Sequence, residues 1–316
     1  MRQYVCTDAI VAQLVVHFIG NEEVAGSSPV NSTILAGDMK IRVATWNINS
    51  IRIRTDMLKS VINDNNIDVI LLQETKCQDC DFPSSAIQSM GMNYLFKGQK
   101  SYNGVAILSK YPIDLEMDEL PLYGFQDTDE EARYVEAIVT VGEKILRVAS
   151  VYVPMGGSVL MPSETLEESA RFKYKLNFYK RVQTRIEEIK AQTNNFQDEY
   201  VIFGGDFNVA QEEIDLTHPK ANDGGVGFHP LERQALRDIR AVGLDDTFRA
   251  RFPDIVQYTW WDYKTRGFDR NVGWRLDYLL SSKNVIDNIS EIYVDMKTRA
   301  KPKTSDHAPI VMEIEI

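Results

Sequence analysis

The sequence predicts an α/β fold in which mainly antiparallel β-sheets are stacked and helices pack outside them. Short apolar runs of strand length recur from residue 41 onwards, and several neighbouring runs are spaced as in hairpins. A few stretches between them carry apolar residues every three or four positions, which is typical of amphipathic helices. Connections are short, and no long linker rich in proline, glycine or serine follows Met39, so one domain is expected.

The composition indicates an ordinary globular protein. Of the 316 residues, 44% are hydrophobic and 26% are charged. No apolar run approaches the ~20 residues that span a bilayer, so no membrane association is expected. Three cysteines cannot form a full disulfide framework, which favours a reducing, cytoplasmic location. Cys77 and Cys80 form a lone C-x-x-C, which lacks the further ligands of a zinc site and is interpreted as a chance pair on a loop.

The net charge bears on the kind of partner. A formal charge of −11 argues against a broad basic surface for nucleic acid. This argument weakens if the acidic residues surround a bound metal ion, because a cation reverses the local electrostatics. The charge therefore counts against a nucleic-acid ligand without excluding one.

Residues 1–38 differ in character from the rest of the chain. Residues 10–19 are apolar, but Arg2 is the only basic residue before them and no convincing cleavage site follows, so a signal peptide is not indicated. Met39 then opens the string "MKIRVATWNINSIR", which begins as a clear strand. We therefore expect residues 1–38 to be a disordered or non-native extension, Met39 to be the initiator, and residues 39–316 to form the folded domain.

The first half of the domain is rich in strands. Strands are predicted at 41–48, 68–75, 104–110, 133–141 and 144–154. Between the first two strands, Thr55 is a suitable cap for a helix. The apolar positions of that helix are Leu58, Val61 and Ile62.

The second half contains the clearest helix and the last strand. Residues 169–191 repeat apolar side chains at helical spacing. Pro230 suits the first turn of another helix, which Gly243 ends. From Ile310 onwards, apolar residues occupy every second position, which predicts a strand with one face in the core.

The string "VIFGGDFN" at 201–208 is the centre of the candidate site. Its apolar beginning predicts a buried strand, and its two glycines allow a sharp turn or a close approach to another group. Asp206 and Asn208 lie two positions apart, so both side chains point the same way in extended chain. A rigid strand with polar groups at its end is a common way to build a catalytic site, although an Asx turn would explain the same residues.

Polar residues recur where other predicted strands end or begin. They are Asn47, Glu74, Tyr152, Asp277, Asp306 and His307. Each has a simple structural explanation on its own, as a turn residue, a helix cap, a core tyrosine or a surface histidine. Together they supply carboxylate and amide oxygens, a phenol and a histidine, which suits Mg²⁺-assisted phosphoryl chemistry better than zinc. Asp277 lies within an apolar run, where an ionised carboxylate needs a partner.

Eight strings in the sequence carry a specific resemblance. They are "TWNINSIR", "LQETK", "NGVAILSK", "VYVP", "GGDFNVA", "YTWWDY", "NVGWRLDYLL" and "SDHAPI". In this order they resemble the exonuclease III class of abasic-site endonucleases, within the endonuclease/exonuclease/phosphatase superfamily. The resemblance implies a four-layer, DNase I-like sandwich of two mainly antiparallel sheets flanked by helices, with residues 39–316 as the catalytic domain. The loop-like segment at 156–168 is longer than the resemblance leads us to expect.

The resemblance also implies roles within the site. Asp206 would be the base that activates water, oriented by Asn208. His307, with Asp277 fixing its tautomer, would donate to the phosphate, and Tyr152 would bind the phosphate or assist the leaving group. The implied metal residues are Glu74, Asn47 and Asp306, with Asp206, Asn208 and His307 as further candidates. The implied cofactor is Mg²⁺, with Mn²⁺ as a substitute.

Substrate choice rests on fewer residues. Trp260, Trp274 and Leu276 match the abasic pocket of that class, although they could instead be core residues, and Asn222 is a weaker pocket candidate. A sugar without its base costs less to extrude, because little stacking is lost. The implied activity is hydrolysis of duplex DNA on the 5′ side of abasic sites, with 3′→5′ exonuclease and 3′-phosphatase or 3′-phosphodiesterase activity. The implied partner is double-stranded DNA with abasic sites or blocked 3′ ends, bound by a monomer.

Other functions differ in the features they require. Sphingomyelinases, inositol-phosphate phosphatases and deadenylases share the carboxylates and the final histidine, but several carry a histidine where this chain has Tyr152. The strings "WWDY" and "GWRLDY" also favour the DNA-repair branch. A catalytically inactive scaffold or binding module is disfavoured because every acidic and amide motif is present. The sequence leaves open the balance among the activities, the number of metal ions and any protein partner.

Overall fold

Two stacked β-sheets form the centre of the protein. The computed structural model describes residues 39–122, 131–157 and 165–316. The expected extension at 1–38 and residues 158–164 of the long loop lie outside the described residues. The strands are β1 Lys40–Asn47, β2 Val69–Gln73, β3 Asn93–Lys97, β4 Val105–Ser109, β5 Ile113–Met117, β6 Tyr134–Val141, β7 Lys144–Tyr152, β8 Tyr200–Asp206, β9 Leu244–Asp246, β10 Asp277–Ser282, β11 Ile289–Val294 and β12 Ile310–Glu315.

Each sheet has six strands and is mainly antiparallel, as predicted. The first sheet runs in the order β11-β12-β1-β2-β4-β3, and the second in the order β5-β6-β7-β8-β10-β9. One parallel pair lies in each sheet, β1 with β2 and β7 with β8. The carboxyl ends of these four strands meet at one end of the molecule, because Asn47, Glu74, Tyr152 and Asp206, which end or follow them, are joined by hydrogen bonds there. The antiparallel neighbours β10 and β12 begin at that same end.

Helices cover the outer faces of both sheets. They are α1 Thr55–Asp64, α2 Ser84–Ser89, α3 Ala170–Gln192, α4 Pro219–Asn222, α5 Pro230–Val242, α6 Thr247–Arg251, α7 Lys283–Ile286 and α8 Met296–Arg299. One apolar cluster fills the space between the sheets, a second lies under α3 and α5, and a third lies under α1. These layers form the four-layer sandwich that the resemblance implied.

The glycine pair before Asp206 allows close packing between layers. A Cβ atom at Gly204 would lie 2.5 Å from a methyl carbon of Leu71 in the other sheet. A Cβ atom at Gly205 would lie 1.8 Å from the backbone oxygen of Val151 on β7. Larger residues would push β8 away from both neighbours, so the close approach predicted for these glycines is confirmed.

The predicted helix boundaries are confirmed with one exception. Pro230 begins α5 and Gly243, with φ 131°, follows its last residue. Thr55 does not cap α1, because it is the first helical residue and its hydroxyl donates to the backbone oxygen of Ile51. No helix among the described residues has the length and apolar character that crossing a membrane requires.

Candidate active site

The strand ends that carry polar residues surround one cleft of about 390 Å³. Register explains the gathering, because Tyr152 pairs with Asp206 and Asp206 pairs with Asp277 across adjacent strands. The cleft is lined by Glu74, Tyr152, Met155, Gly157, Asp206, Asn208, Val226, Gly227, Trp260, Trp274, Leu276, Asp306 and His307. Nine residues predicted as site residues thus lie on a single surface.

Glu74 occupies one side of the cleft and is held by three donors. Its Oε1 accepts from Asn47 Nδ2 at 2.8 Å and from the Tyr152 hydroxyl at 2.9 Å. Its Oε2 lies 2.6 Å from Lys76 Nζ. Burial alone would raise the pKa of Glu74, but Lys76 and Asn47 lower it below its ordinary value, so the carboxylate is ionised. The backbone of Glu74 is left-handed, with φ 52°, a strained conformation that is common where a side chain must be aimed.

Asp206 lies opposite Glu74 and shares a donor with it. Asn47 Nδ2 is 3.0 Å from Asp206 Oδ2, so this amide joins the two carboxylates. Asn208 orients Asp206 through its backbone N–H, at 2.9 Å from Oδ1, while its side-chain amide donates to the Val153 oxygen instead. The sequence predicted the pair, but the orienting group is the backbone rather than the side chain.

His307 is paired with Asp277, as expected. Its Nδ1 lies 2.8 Å from Asp277 Oδ2, and its Nε2 lies 3.7 Å from Asp206 Oδ2. Burial alone would lower the pKa of His307, but Asp277, Asp206 and then Asp306 raise it to about 10. The ring is therefore a cation at neutral pH and presents Nε2–H towards the cleft.

The carboxylates of the site repel one another. Burial raises the pKa of Asp206 to about 7, with Asp277 and Glu74 adding to the effect and the His307 charge opposing it. Burial, with Glu74 and Asp206, raises the pKa of Tyr152 well above its usual range, so its hydroxyl keeps its proton. A group with a pKa near 7 is suited to accept a proton at neutral pH.

One group of acidic and histidine side chains could hold a metal ion. One ligand atom from each of Glu74, Asp206 and His307 lies within 4.8 Å of the others. Two carboxylates that face each other across a small gap are a suitable donor set for a hard divalent cation. Because His307 is charged and donates through Nδ1, the carboxylates are the better ligands of the three.

Asp306 lies beside this group and is held by two residues. Its Oδ1 accepts from Asn49 Nδ2 at 2.8 Å, and its Oδ2 accepts from Trp260 Nε1 at 3.0 Å. Lys76 Nζ donates to Asn49 Oδ1 at 2.7 Å, which links Asp306 to Glu74. Sequence analysis missed Asn49 and Lys76, although both belong to strings that it quoted, "TWNINSIR" and "LQETK".

Aromatic and aliphatic side chains form the other wall of the cleft. Trp260 and Trp274 are bridged through their backbones, and Leu276 follows on the same segment. Asn222 does not line this wall, because it ends the short helix α4 and its side chain donates to the oxygen of His218 at 2.9 Å. Met155 and Val226 do line it, and no polar pattern in the sequence distinguished them.

The fold and the site together define a hydrolytic enzyme that acts on phosphate esters. Stacked sheets place carboxylates, an amide, a phenol and a charged histidine around a cleft that suits a metal ion and a phosphate. The model of the endonuclease/exonuclease/phosphatase family matches residues 44–307, and the chain belongs to this family. The family resemblance and the fold class predicted from the sequence are therefore confirmed.

Relatives and solved structures agree over most of the chain. An exodeoxyribonuclease of Bacillus subtilis is 31% identical over 87% of this chain and 100% of its own length. Exodeoxyribonuclease III of Haemophilus influenzae is 29% identical over 87% of this chain and 100% of its own length. A 3′ phosphatase from Neisseria bound to a product DNA hairpin has a TM-score of 0.77, 31% identity and coverage of 87% of this chain and 100% of that one. An AP endonuclease from Archaeoglobus fulgidus has a TM-score of 0.75, 29% identity and the same coverage.

Proposed function

We infer that this protein is a metal-dependent DNA repair nuclease. We propose that it hydrolyses the phosphodiester on the 5′ side of abasic sites and removes nucleotides, phosphates and other blocking groups from 3′ ends. The observation that carries the proposal is the single cleft that joins the Glu74–Asp206 carboxylates and the His307–Asp277 pair to an apolar wall. The chemistry suits a phosphodiester, and the wall suits a sugar without a base.

Each polar residue of the cleft has a role in the proposed hydrolysis. Asp206 accepts the proton of the attacking water, and the Asn208 backbone N–H holds its carboxylate in place. His307 donates through Nε2–H to a phosphate oxygen and stabilises the negative charge that grows there. Tyr152 donates to the phosphate or to the departing 3′ oxygen, since its hydroxyl keeps its proton.

The proposed cofactor is Mg²⁺, for which Mn²⁺ can substitute. Glu74 would hold the ion, with Asn47 and Asp306 as the further metal or orienting residues, and Asp206 stays free to act as the base. Bound there, a divalent cation supplies Lewis-acid stabilisation of the phosphate and of the leaving 3′ oxygen. The oxygen-rich donor set favours such a hard cation over zinc.

Substrate selection is proposed to occur at the apolar wall. Trp260, Trp274 and Leu276 form a surface beside the catalytic groups that a flipped-out sugar can reach. A nucleotide without its base is cheaper to extrude and smaller to accommodate. We further propose that the enzyme acts as a monomer in the cytoplasm and that residues 39–316 form its catalytic domain.

A nicking assay tests the proposed function. The substrate is a duplex with one abasic analogue, and the controls are the same duplex with a normal nucleotide and the same reaction with a chelator. We expect incision 5′ to the abasic position only when Mg²⁺ is present, and loss of incision in Asp206→Asn. Incision that is equal on both duplexes, or that persists in chelator, would contradict the proposal.

A further inference from the structure

A buried ion pair lies directly behind the cleft. Lys175 on α3 is fully buried, and its Nζ lies 2.5 Å from Glu232 Oε1 on α5. The same ammonium donates to the backbone oxygens of Asn208, at 2.7 Å, and Met155, at 3.2 Å. Both of those residues line the cleft, on loops that follow β8 and β7.

The carboxylate of the pair reaches a third loop. Glu232 Oε2 accepts from the backbone N–H of Gly227 at 2.7 Å and of His229 at 3.1 Å. Gly227, with φ 83°, lies against the ring of Trp274, because a Cβ atom there would be 3.1 Å from Trp274 Cζ3. The ammonium and the carboxylate together therefore contact three loops that line the cleft, those of Met155, Asn208 and Gly227.

Glu232 closes the capping box of α5 through the His229 N–H, which explains the carboxylate, but stability gives little reason for burying an ammonium beside it. Removing an ammonium and a carboxylate from water is expensive, and a well-packed apolar pair of similar volume is often as stable. Burial lowers the pKa of Lys175, and the attraction of Glu232 opposes this effect. What an apolar pair cannot replace is the set of hydrogen bonds to the Asn208 and Met155 oxygens and to the Gly227 N–H.

We propose that Lys175 and Glu232 are positioning residues, which fix the loops carrying Asn208, Met155 and Gly227 relative to the catalytic groups. The inference deepens the proposed function and rests on it for the effect on turnover. Lys175 sets the backbone at Asn208 beside Asp206, and Glu232 sets the loop behind Trp274. A displacement of about 1 Å at such groups can lower turnover by about 10²-fold.

The test is the double variant Lys175→Met, Glu232→Met. Methionine approximates the length of both side chains without their charge, so no unpaired charge remains while the hydrogen bonds to the Asn208, Met155 and Gly227 backbones are lost. The matched control is Arg185→Met, which removes another buried cation of α3 that contacts Glu136 away from the cleft. Gly156→Ala is a second variant without any charge change: its Cβ would lie 2.7 Å from Lys175 Cδ, and its φ of 79° adds backbone strain in the same loop.

Two measurements decide the matter. Amide hydrogen exchange over residues 206–210 and 225–229 should become faster in the double variant and in Gly156→Ala, but not in Arg185→Met. In the same variants, kcat for abasic duplex should fall by about 10²-fold at a temperature where the protein stays folded.

Unchanged exchange in these loops, or equal changes in Arg185→Met, would overturn the inference. A wild-type protein without nuclease activity would instead overturn the proposed function, and the exchange measurement would still decide the positioning role. Full turnover in the double variant would show that the pair only stabilises the fold.

Discussion

Glu74 is the residue on which three cleft donors converge, Asn47, Tyr152 and Lys76. Glu74→Gln keeps the size of the side chain and removes its charge. We expect kcat to fall by at least about 10²-fold, because even the loss of a residue that only hydrogen-bonds to a metal ligand can lower activity by that much. High Mg²⁺ should restore part of the activity. Mg²⁺ titrations of activity measure this, with exposed Glu291→Gln as the control. An unchanged Mg²⁺ dependence would remove Glu74 from the metal site.

The contact between Asp277 and His307 predicts a pH effect. Asp277→Asn removes the carboxylate that contributes most to the raised pKa of His307, so that pKa should fall from about 10 towards 6.5. Turnover should then drop most on the alkaline side, where the variant ring loses its proton. NMR titration of the His307 ring measures its pKa. In the double variant Asp277→Asn, His307→Asn, turnover should fall by less than the product of the two single fold-decreases.

The same pair also stabilises the folded protein, by an amount that falls as pH rises. The folded pKa of His307 lies above its ordinary value of 6.5, so the contribution is fully present below about 6.5 and is lost as pH rises towards about 10. Urea unfolding of wild type and Asp277→Asn across that range measures it. A stability difference that does not shrink with rising pH, or an unchanged His307 pKa, would contradict the pairing.

Sequence patterns found charged and polar residues at strand ends, but not their partners. Asn49 contacts Asp306 because two loops that are distant in sequence converge, which periodicity does not show. Lys76 contacts Glu74 from two positions along the same loop, where the left-handed backbone of both residues is not predicted by periodicity either. Asn222 was a pocket candidate beside the residues that match the family, but its side chain bonds to the His218 oxygen within its own short helix and does not line the cleft.

At the scale of elements, the wall segment that carries Trp274 predicts a difference between substrates. Trp274→Ala should slow incision at an abasic site more than phosphate removal from a 3′ end, because only incision requires a flipped sugar to be seated. Rates on the two substrates measure the ratio, and exposed Leu231→Ala on α5 is the control. Equal losses on both substrates would make Trp274 a purely structural residue.

Strand prediction succeeded in the middle of the sheets and failed at their edges. Sequence analysis located the inner strands, and it did not identify β3, β5, β9 or β11, which are the four edge strands. Strands β3 and β5 have no fully buried residue, and β9 has only three residues. An edge strand buries fewer side chains and carries more polar ones, so it lacks the apolar run on which the prediction depended.

At the scale of the whole molecule, the boundary at Met39 is testable. A chain that begins at Met39 should retain the melting temperature and the specific activity of the full chain. Among the described residues, the β1–β12 pairing extends to Met39, which exchanges two backbone hydrogen bonds with Ile316. Calorimetry and the nicking assay check this expectation, and a fall of many degrees would show that residues 1–38 belong to the fold.

The position of β12 between β11 and β1 has a consequence for protein synthesis. A central strand of the first sheet, and His307 just before it, leave the ribosome after every other residue of the cleft. A nascent chain that has already made Glu74 and Asp206 still lacks the histidine and the strand that closes the sheet around β1. We expect a chain that stops before His307 to lack both the histidine of the cleft and the strand between β11 and β1, and therefore to be inactive in the nicking assay.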